Sequence, residues 1–119
     1  MSDLSLRWFI KGVLSESGVV GTEIQGVYRT PDNVDYQLDR VYLRQRIKPE
    51  GTPTIIDIND DGVSLFTYNP QLNGFQDKMW TTCNDTVIEG GSIISLDIDS
   101  VSPTICGEDL TVIAEFSVA

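Results

Sequence analysis

The sequence predicts an all-β protein: one domain, residues 1–119, folded as an antiparallel β-sandwich of seven or eight strands. Apolar and polar residues alternate with a period of two through most of the chain, and turn-forming residues interrupt the alternation at short intervals. No segment holds the period of 3.6 residues that would indicate a helix. Two antiparallel sheets packed face to face are the natural way to bury one apolar face of every strand.

The first strands are predicted close to the amino terminus. Residues 5–14 alternate, with Leu6 and Trp8 on one side and basic residues on the other. A second alternating run over residues 22–30 ends at a turn cluster. Residues 1–5 are expected to form a flexible arm, and they lack the long apolar run of a signal peptide or a membrane anchor.

The longest extended segment, residues 34–48, changes phase in the middle. Its apolar residues occupy even positions up to Leu38 and odd positions from Val41 onward. A shift of one residue turns every following side chain to the opposite face of a sheet. The pattern therefore predicts a β-bulge or a strand break near Asp39 and Arg40.

The clearest hairpin lies in residues 54–68. Two runs rich in β-branched residues flank the sequence NDDG at residues 59–62, and an aspartate followed by glycine is a strong signal for a tight turn. The segment also fits the first half of a calcium loop, with oxygen ligands at Asp57, Asn59 and Asp61. The twelfth loop position holds a tyrosine instead of a glutamate, so the hairpin turn is favoured and we predict no metal site.

Beyond the hairpin, residues 69–85 are predicted to form a long loop, which in a compact domain is often functional. Two further alternating segments, residues 92–99 and 110–118, predict the last two strands. Asp97 and Asp99 share the polar face of the first of these strands. Paired carboxylates can perform acid–base chemistry, but no other catalytic feature accompanies this pair, so a solvated face or pairing with basic residues of the chain is the favoured interpretation.

Composition excludes several classes of function. The formal net charge is −10, which repels nucleic-acid phosphates and anionic lipids, so neither is an expected partner. The chain has no histidine, the commonest general base and metal ligand, and no catalytic motif. We therefore predict no catalytic residue, no cofactor and no enzyme activity.

Cys83 and Cys106 lack zinc-site spacing and are predicted to be thiols in a reducing cytoplasm, with a disulfide as the alternative.

A stripe of basic residues is conspicuous in so acidic a protein. Side-by-side cations repel one another, so opposite charges should lie nearby. Three alternatives follow: pairing with acids on a neighbouring strand, an interface with an acidic surface of another subunit or of a larger assembly, and binding of nucleic acid. The residues that share this face of the strand are Arg40, Tyr42, Arg44, Arg46 and Lys48.

Large apolar residues in the predicted loop form a second candidate interface. Phe75, Met79 and Trp80 lie among polar residues, and exposed aromatic side chains often anchor protein interfaces. Packing within the loop and stacking against a ligand or glycan are the alternatives.

Three motifs in the second half of the chain occur in a characteristic order. They are PTIIDINDDGVSLF over residues 53–66, GSIISLDIDSV over residues 91–101 and GEDLTV over residues 107–112. This order resembles the small jelly-roll-like β-sandwich domains of tailed-bacteriophage virion proteins. The match covers roughly residues 36–118, and it departs from the usual pattern at Ile55, where those domains often have glycine, and over residues 102–106.

The resemblance implies a structural role in a virion. Without a shaft-like repeat before the domain, it favours a capsid decoration (cement) protein, a homotrimer that binds the major capsid protein or other virion proteins. Such a protein is made in the cytoplasm of the host bacterium and lies on the capsid surface of the virion. The alternative is a tail, neck or fibre-tip protein involved in host receptor binding. A polysaccharide depolymerase is a weaker alternative, because so small a domain leaves little room for a cleft.

Overall fold

A computed structural model describes residues 3–15, 25–84 and 86–119 of the chain. These residues contain nine β-strands and no helix. No described segment is therefore a helix long and apolar enough to cross a bilayer. The strands are β1 (Leu4–Val13), β2 (Val27–Arg29), β3 (Tyr36–Ile47), β4 (Thr54–Asp60), β5 (Val63–Ser64), β6 (Gln71–Leu72), β7 (Asp77–Trp80), β8 (Ile93–Ser100) and β9 (Glu108–Val118).

The strands form two antiparallel sheets. The front sheet has the order β1-β9-β3-β7, and the back sheet has the order β2-β8-β4-β5, with β6 also paired to β4. The pairing is nested: the first strand pairs with the last, β2 with β8, β3 with β7, and β4 with β5. This nesting is the strand order of a jelly roll. It confirms the predicted all-β, jelly-roll-like sandwich, although the described residues form more strands than the seven or eight expected.

The apolar faces of the two sheets meet in one core. The front sheet contributes inward-facing residues from β1, β3 and β9, and the back sheet contributes those from β4 and β8, as period-two alternation requires. Phe116 is the largest fully buried side chain. Members of the core from both sheets include Leu6, Trp8, Leu38, Val41, Leu43, Ile56, Ile58, Ile94, Leu96, Ile98, Leu110, Val112 and Phe116.

A β-bulge lies in β3 at the position where the apolar phase changes. Leu38 is opposite Phe116 and Arg40 is opposite Glu115, so Asp39 is the extra residue on the bulged strand. The Asp39 carboxylate accepts a hydrogen bond of 2.9 Å from the Ser117 hydroxyl. The predicted phase change is therefore confirmed as a bulge and not as a strand break.

The predicted hairpin is confirmed between β4 and β5. Its two turn residues, Asp61 and Gly62, have φ values of 48° and 85°. Positive φ at both central residues is the requirement of a type I′ turn, whose twist matches that of the flanking strands. The Asp61 carboxylate also accepts a hydrogen bond of 2.9 Å from the backbone N–H of Ile93, which ties the turn to β8.

Several sequence-based boundaries were wrong. The predicted loop 69–85 contains β6 and β7, because residues 71–72 pair with β4 and residues 77–80 pair with β3. Strand β1 begins at Leu4, so residues 4 and 5 of the expected arm are paired with β9. Met1, Ser2, residues 16–24 and Asp85 lie outside the described residues, and with them the start of the predicted run 22–30.

A buried glutamine fastens one end of the core. Gln45 is fully buried, its side-chain oxygen accepts a hydrogen bond of 2.7 Å from the Thr54 hydroxyl, and its amide donates one of 3.1 Å to the Cys106 carbonyl. These bonds join β3 of the front sheet to β4 of the back sheet and to the segment before β9. Both polar ends of the side chain are satisfied, as burial of an amide requires.

Replacing this glutamine should destabilise the protein. Gln45→Leu leaves the Cys106 carbonyl and the Thr54 hydroxyl without their partner, and we expect it to lower the free energy of unfolding by about 2 kcal/mol. Urea denaturation with an unchanged m-value measures this loss. Adding Thr54→Val should recover part of it, and Gln37→Leu, on the half-buried outward side of the same strand, should be near neutral. A neutral or stabilising Gln45→Leu would contradict this account of the buried amide.

Candidate protein-binding surface

The outward face of the front sheet collects most of the basic residues. The β3 residues of the predicted stripe up to Arg46 lie there, because the bulge turns them away from the core. On β1, the residues that alternate with buried Leu6 and Trp8 also point outward. Of the eight basic residues in the chain, this face carries Arg7, Lys11, Arg40, Arg44 and Arg46.

Acids on neighbouring strands pair with the arginines of β3. Arg40 binds Glu115 on β9, Arg44 lies 3.8 Å from the carboxylate of Asp77 on β7, and Arg46 lies 2.7 Å from Asp109 on β9. Intramolecular pairing was one of the three alternatives predicted for the stripe. Exposed pairs of this kind contribute little to stability, typically below about 1 kcal/mol each.

The ion pair at Arg46 is the best defined of the three. The hydrogen bond from Arg46, together with one of 2.7 Å from the backbone N–H of Gly12, holds the pKa of Asp109 below its ordinary value. The same contact raises the pKa of Arg46. Asp109 therefore stays ionised and links β1, β3 and β9 at this end of the face.

An apolar band crosses the same face. In register across the four strands, Arg7 lies opposite Ile113, Ile113 opposite Tyr42, and Tyr42 opposite Met79. Phe9, the next outward residue on β1, is 59% exposed, and Met79 is 49% exposed. The strand spacing makes this band roughly 14 Å wide. We call Phe9, Tyr42, Met79 and Ile113 the front-face band.

The front-face band has the anatomy of a protein interface. Its centre is apolar and aromatic, and the ion pairs of Arg40 and Arg44 lie on either side of it. Tyr42 is fixed in place, because its hydroxyl donates a hydrogen bond of 3.0 Å to the Asp77 carboxylate. A side chain that is already ordered loses less entropy when a partner binds. The face is therefore suited to docking against another protein.

The apolar residues of the predicted loop separate in the structure. Met79 belongs to the front-face band, and Phe75 lies exposed beside the end of β3. Trp80 is opposite Val41, a core residue, and packs against the core while its indole N–H donates a hydrogen bond of 3.2 Å to the Thr82 carbonyl. Trp80 thus follows the packing alternative, whereas Met79 and Phe75 remain candidate contacts.

Sequence reasoning missed Phe9 and Ile113 as parts of this face. The available signal was an apolar residue at a position where the strand is otherwise polar. Phe9 shares its face of β1 with Arg7 and Lys11, and Ile113 shares its face of β9 with Thr111 and Glu115. Alternation alone does not show that these residues become neighbours of Tyr42 and Met79. That follows only from the register between strands.

The outward face of the back sheet carries the opposite charge. Asp57 is opposite Asp97 on β8, and Asp99 lies near both. Desolvation raises the pKa of Asp57, and the negative charges of Asp99 and Asp97 raise it further, against a hydrogen bond from Ser64 that lowers it. Desolvation and the charge of Asp97 likewise raise the pKa of Asp99.

The candidate calcium ligands do not converge. Asp57 accepts a hydrogen bond of 2.6 Å from the Ser64 hydroxyl, Asn59 donates one of 2.9 Å to Asp97, and Asp61 is engaged in the hairpin turn. Within residues 3–15, 25–84 and 86–119, no group of three or more histidine, cysteine or acidic residues could hold a metal ion. Cys83 and Cys106, predicted to be thiols, are half-buried thiols in the structure.

Comparison with protein-family models gave no match for this chain, and neither did comparison with curated proteins. The resemblance to virion proteins therefore stands on the three sequence motifs alone.

Substitution of Asp57 should reveal what it costs to keep this carboxylate ionised against desolvation and the charges of its neighbours. Its pKa in the folded protein lies above the ordinary 3.8, so folding favours the protonated form. That contribution is complete below the unfolded pKa and is lost as the pH rises through the folded pKa. Asp57→Asn removes the charge but can still accept the Ser64 hydrogen bond, and we expect it to stabilise the protein at pH 7 by about 0.5–1 kcal/mol.

Urea denaturation at pH 7 and at pH 3 measures this effect. The gain should shrink at pH 3, where the wild-type carboxyl is protonated as well. Glu50→Gln, which removes an exposed carboxylate at the turn before β4, is the matched control and should change stability little at either pH. A loss of stability in Asp57→Asn at pH 7 would contradict this cost of the ionised carboxylate.

Proposed function

We propose that this protein is a non-enzymatic structural subunit of a tailed-phage virion, a decoration (cement) protein that binds the assembled head. The observation that carries the proposal is the front-face band: Phe9 and Met79 are exposed, Tyr42 is held by its hydrogen bond to Asp77, and ion pairs lie on either side. The order of the three sequence motifs supports the choice of a virion over other assemblies. Its partner would be the major capsid protein or another virion protein, and a homotrimer would suit a three-fold position on a shell.

The proposed mechanism is stabilisation by mass action. A subunit that binds the assembled shell, and not the separate capsid proteins, shifts the equilibrium toward the assembled state. The affinity of each subunit for the shell can be modest, because the stabilisation of the shell adds up over many equivalent sites. A β-sandwich with a rigid apolar face suits this role, since a preformed contact surface costs little to order on binding.

Particle composition tests the proposal. We expect electron cryo-microscopy of particles with the gene intact and deleted to show density on the head that is lost on deletion, with hundreds of copies per particle. Heads lacking the protein should break at a lower temperature. A few copies at the tail or neck would overturn the head assignment in favour of a receptor-binding or adaptor role, and absence from particles would overturn the virion role altogether.

Variants of the front-face band test which surface docks. Phe9→Asp and Met79→Asp each place a charge in the apolar centre, and we expect either to weaken binding of purified protein to gene-deleted particles by at least about tenfold. Tyr68→Asp is the control, because Tyr68 is also strongly exposed but lies on the connection between β5 and β6. Co-sedimentation measures binding, and circular dichroism checks the fold of each variant. Equal losses in all three variants would contradict docking through this face.

A further inference from the structure

A separate open cleft lies at the carboxyl end of β3. There, the last residues of the strand and Lys48 face the loop that leads into β7, around a cavity of about 510 Å³. Its volume falls within the usual range for ligand-binding clefts. The residues that line it are Arg46, Ile47, Lys48, Gly74, Phe75 and Gln76.

The cleft combines apolar and cationic walls. Ile47 is 38% exposed and Phe75 is 63% exposed, so their apolar surfaces are open to a partner. The two charged lining residues, Arg46 and Lys48, are both cations, and no carboxylate lines the cleft. Two of the eight basic residues of this chain, whose net charge is −10, therefore lie at one cleft.

Hydrogen bonds hold both walls in place. The Gln76 amide donates to the Arg46 carbonyl over 3.0 Å, and the backbone N–H of Gln45 donates to the Gln76 carbonyl over 2.9 Å. The loop turns at Gly74, whose φ of 75° suits glycine. The cleft is therefore preformed.

The two cations differ in whether an acid of the same chain pairs with them. Arg46 is bound to Asp109 and lies 3.5 Å from Glu108. Within the described part of the chain, no carboxylate lies within ion-pairing distance of Lys48. The Lys48 ammonium is therefore the group available to an incoming anion.

We propose that this cleft binds an extended protein segment in which an apolar side chain stands next to a carboxylate. The apolar side chain packs between Ile47 and Phe75, and the carboxylate pairs with Lys48. The positive lining selects an acidic segment over a basic one, and the openness of the cleft suits a peptide that lies across its surface. Binding here does not depend on the virion role, so each proposal can fail while the other stands.

Nuclear magnetic resonance with a defined probe tests the cleft. The probe is the acetylated, amidated dipeptide leucyl-glutamate, titrated into the ¹⁵N-labelled full chain. We expect saturable amide shifts at residues 46–48 and 74–76, and weaker binding of the matched leucyl-glutamine dipeptide. Lys48→Gln should weaken binding of the glutamate probe by about threefold, the size of an exposed charge pair. Phe75→Ser should weaken both probes by about tenfold through lost apolar burial.

Matched variants separate a local effect from a general one. Lys78→Gln removes an exposed cation outside the cleft, and Tyr68→Ser removes an exposed aromatic side chain elsewhere. Both should bind the probe as the wild type does. The proposal is overturned if no saturable shift occurs up to the solubility limit of the probe, if the shifts map elsewhere, or if the glutamine dipeptide binds as tightly as the glutamate dipeptide.

Discussion

The bulge at Asp39 is the constraint on which the rest of the structure depends. One extra residue in β3 exchanges the two faces of the strand, so that Val41 and Leu43 enter the core while Tyr42 and Arg44 face outward. Without it, the second half of β3 would present its charges to the apolar back sheet. The packing of the core and the chemistry of the front face are thus two consequences of one register shift, and the hydrogen bond from Ser117 holds the extra residue in place.

The same register separates charge between the two sheets. The front face carries most of the basic residues, each β3 arginine balanced by an acid on β7 or β9. The back face gathers Asp57, Asp97 and Asp99, and desolvation together with the closeness of these carboxylates raises the pKa of Asp57 and of Asp99. A protein of high net negative charge therefore presents one face where charge is locally neutralised and apolar groups are exposed. Of the two faces, this one has the lower electrostatic cost of approach by an acidic protein.

The sequence predicts the parts of this fold that local patterns determine. The phase change before Val41 predicted the bulge, and Asp61 with Gly62 predicted the hairpin turn, because both depend on neighbours in the chain. Strand β7 was missed, since it has only four residues and most of them are exposed, and only pairing with β3 makes them a strand. Gln45 was missed as a core residue for a similar reason: its partners are Thr54 and the distant Cys106 carbonyl. The front-face band was beyond local reasoning, because it joins residues of β1, β3, β7 and β9 through register alone.

We propose that the outward face of the front sheet is the surface by which this protein attaches to a virion. Hydroxyl-radical footprinting with mass spectrometry, applied to the free protein and to the protein on its particle, measures this most directly. The account predicts that Phe9, Tyr42 and Met79 lose reactivity on the particle while Tyr68 keeps it. Unchanged reactivity at Phe9 and Met79, with protection at Tyr68, would contradict the claim.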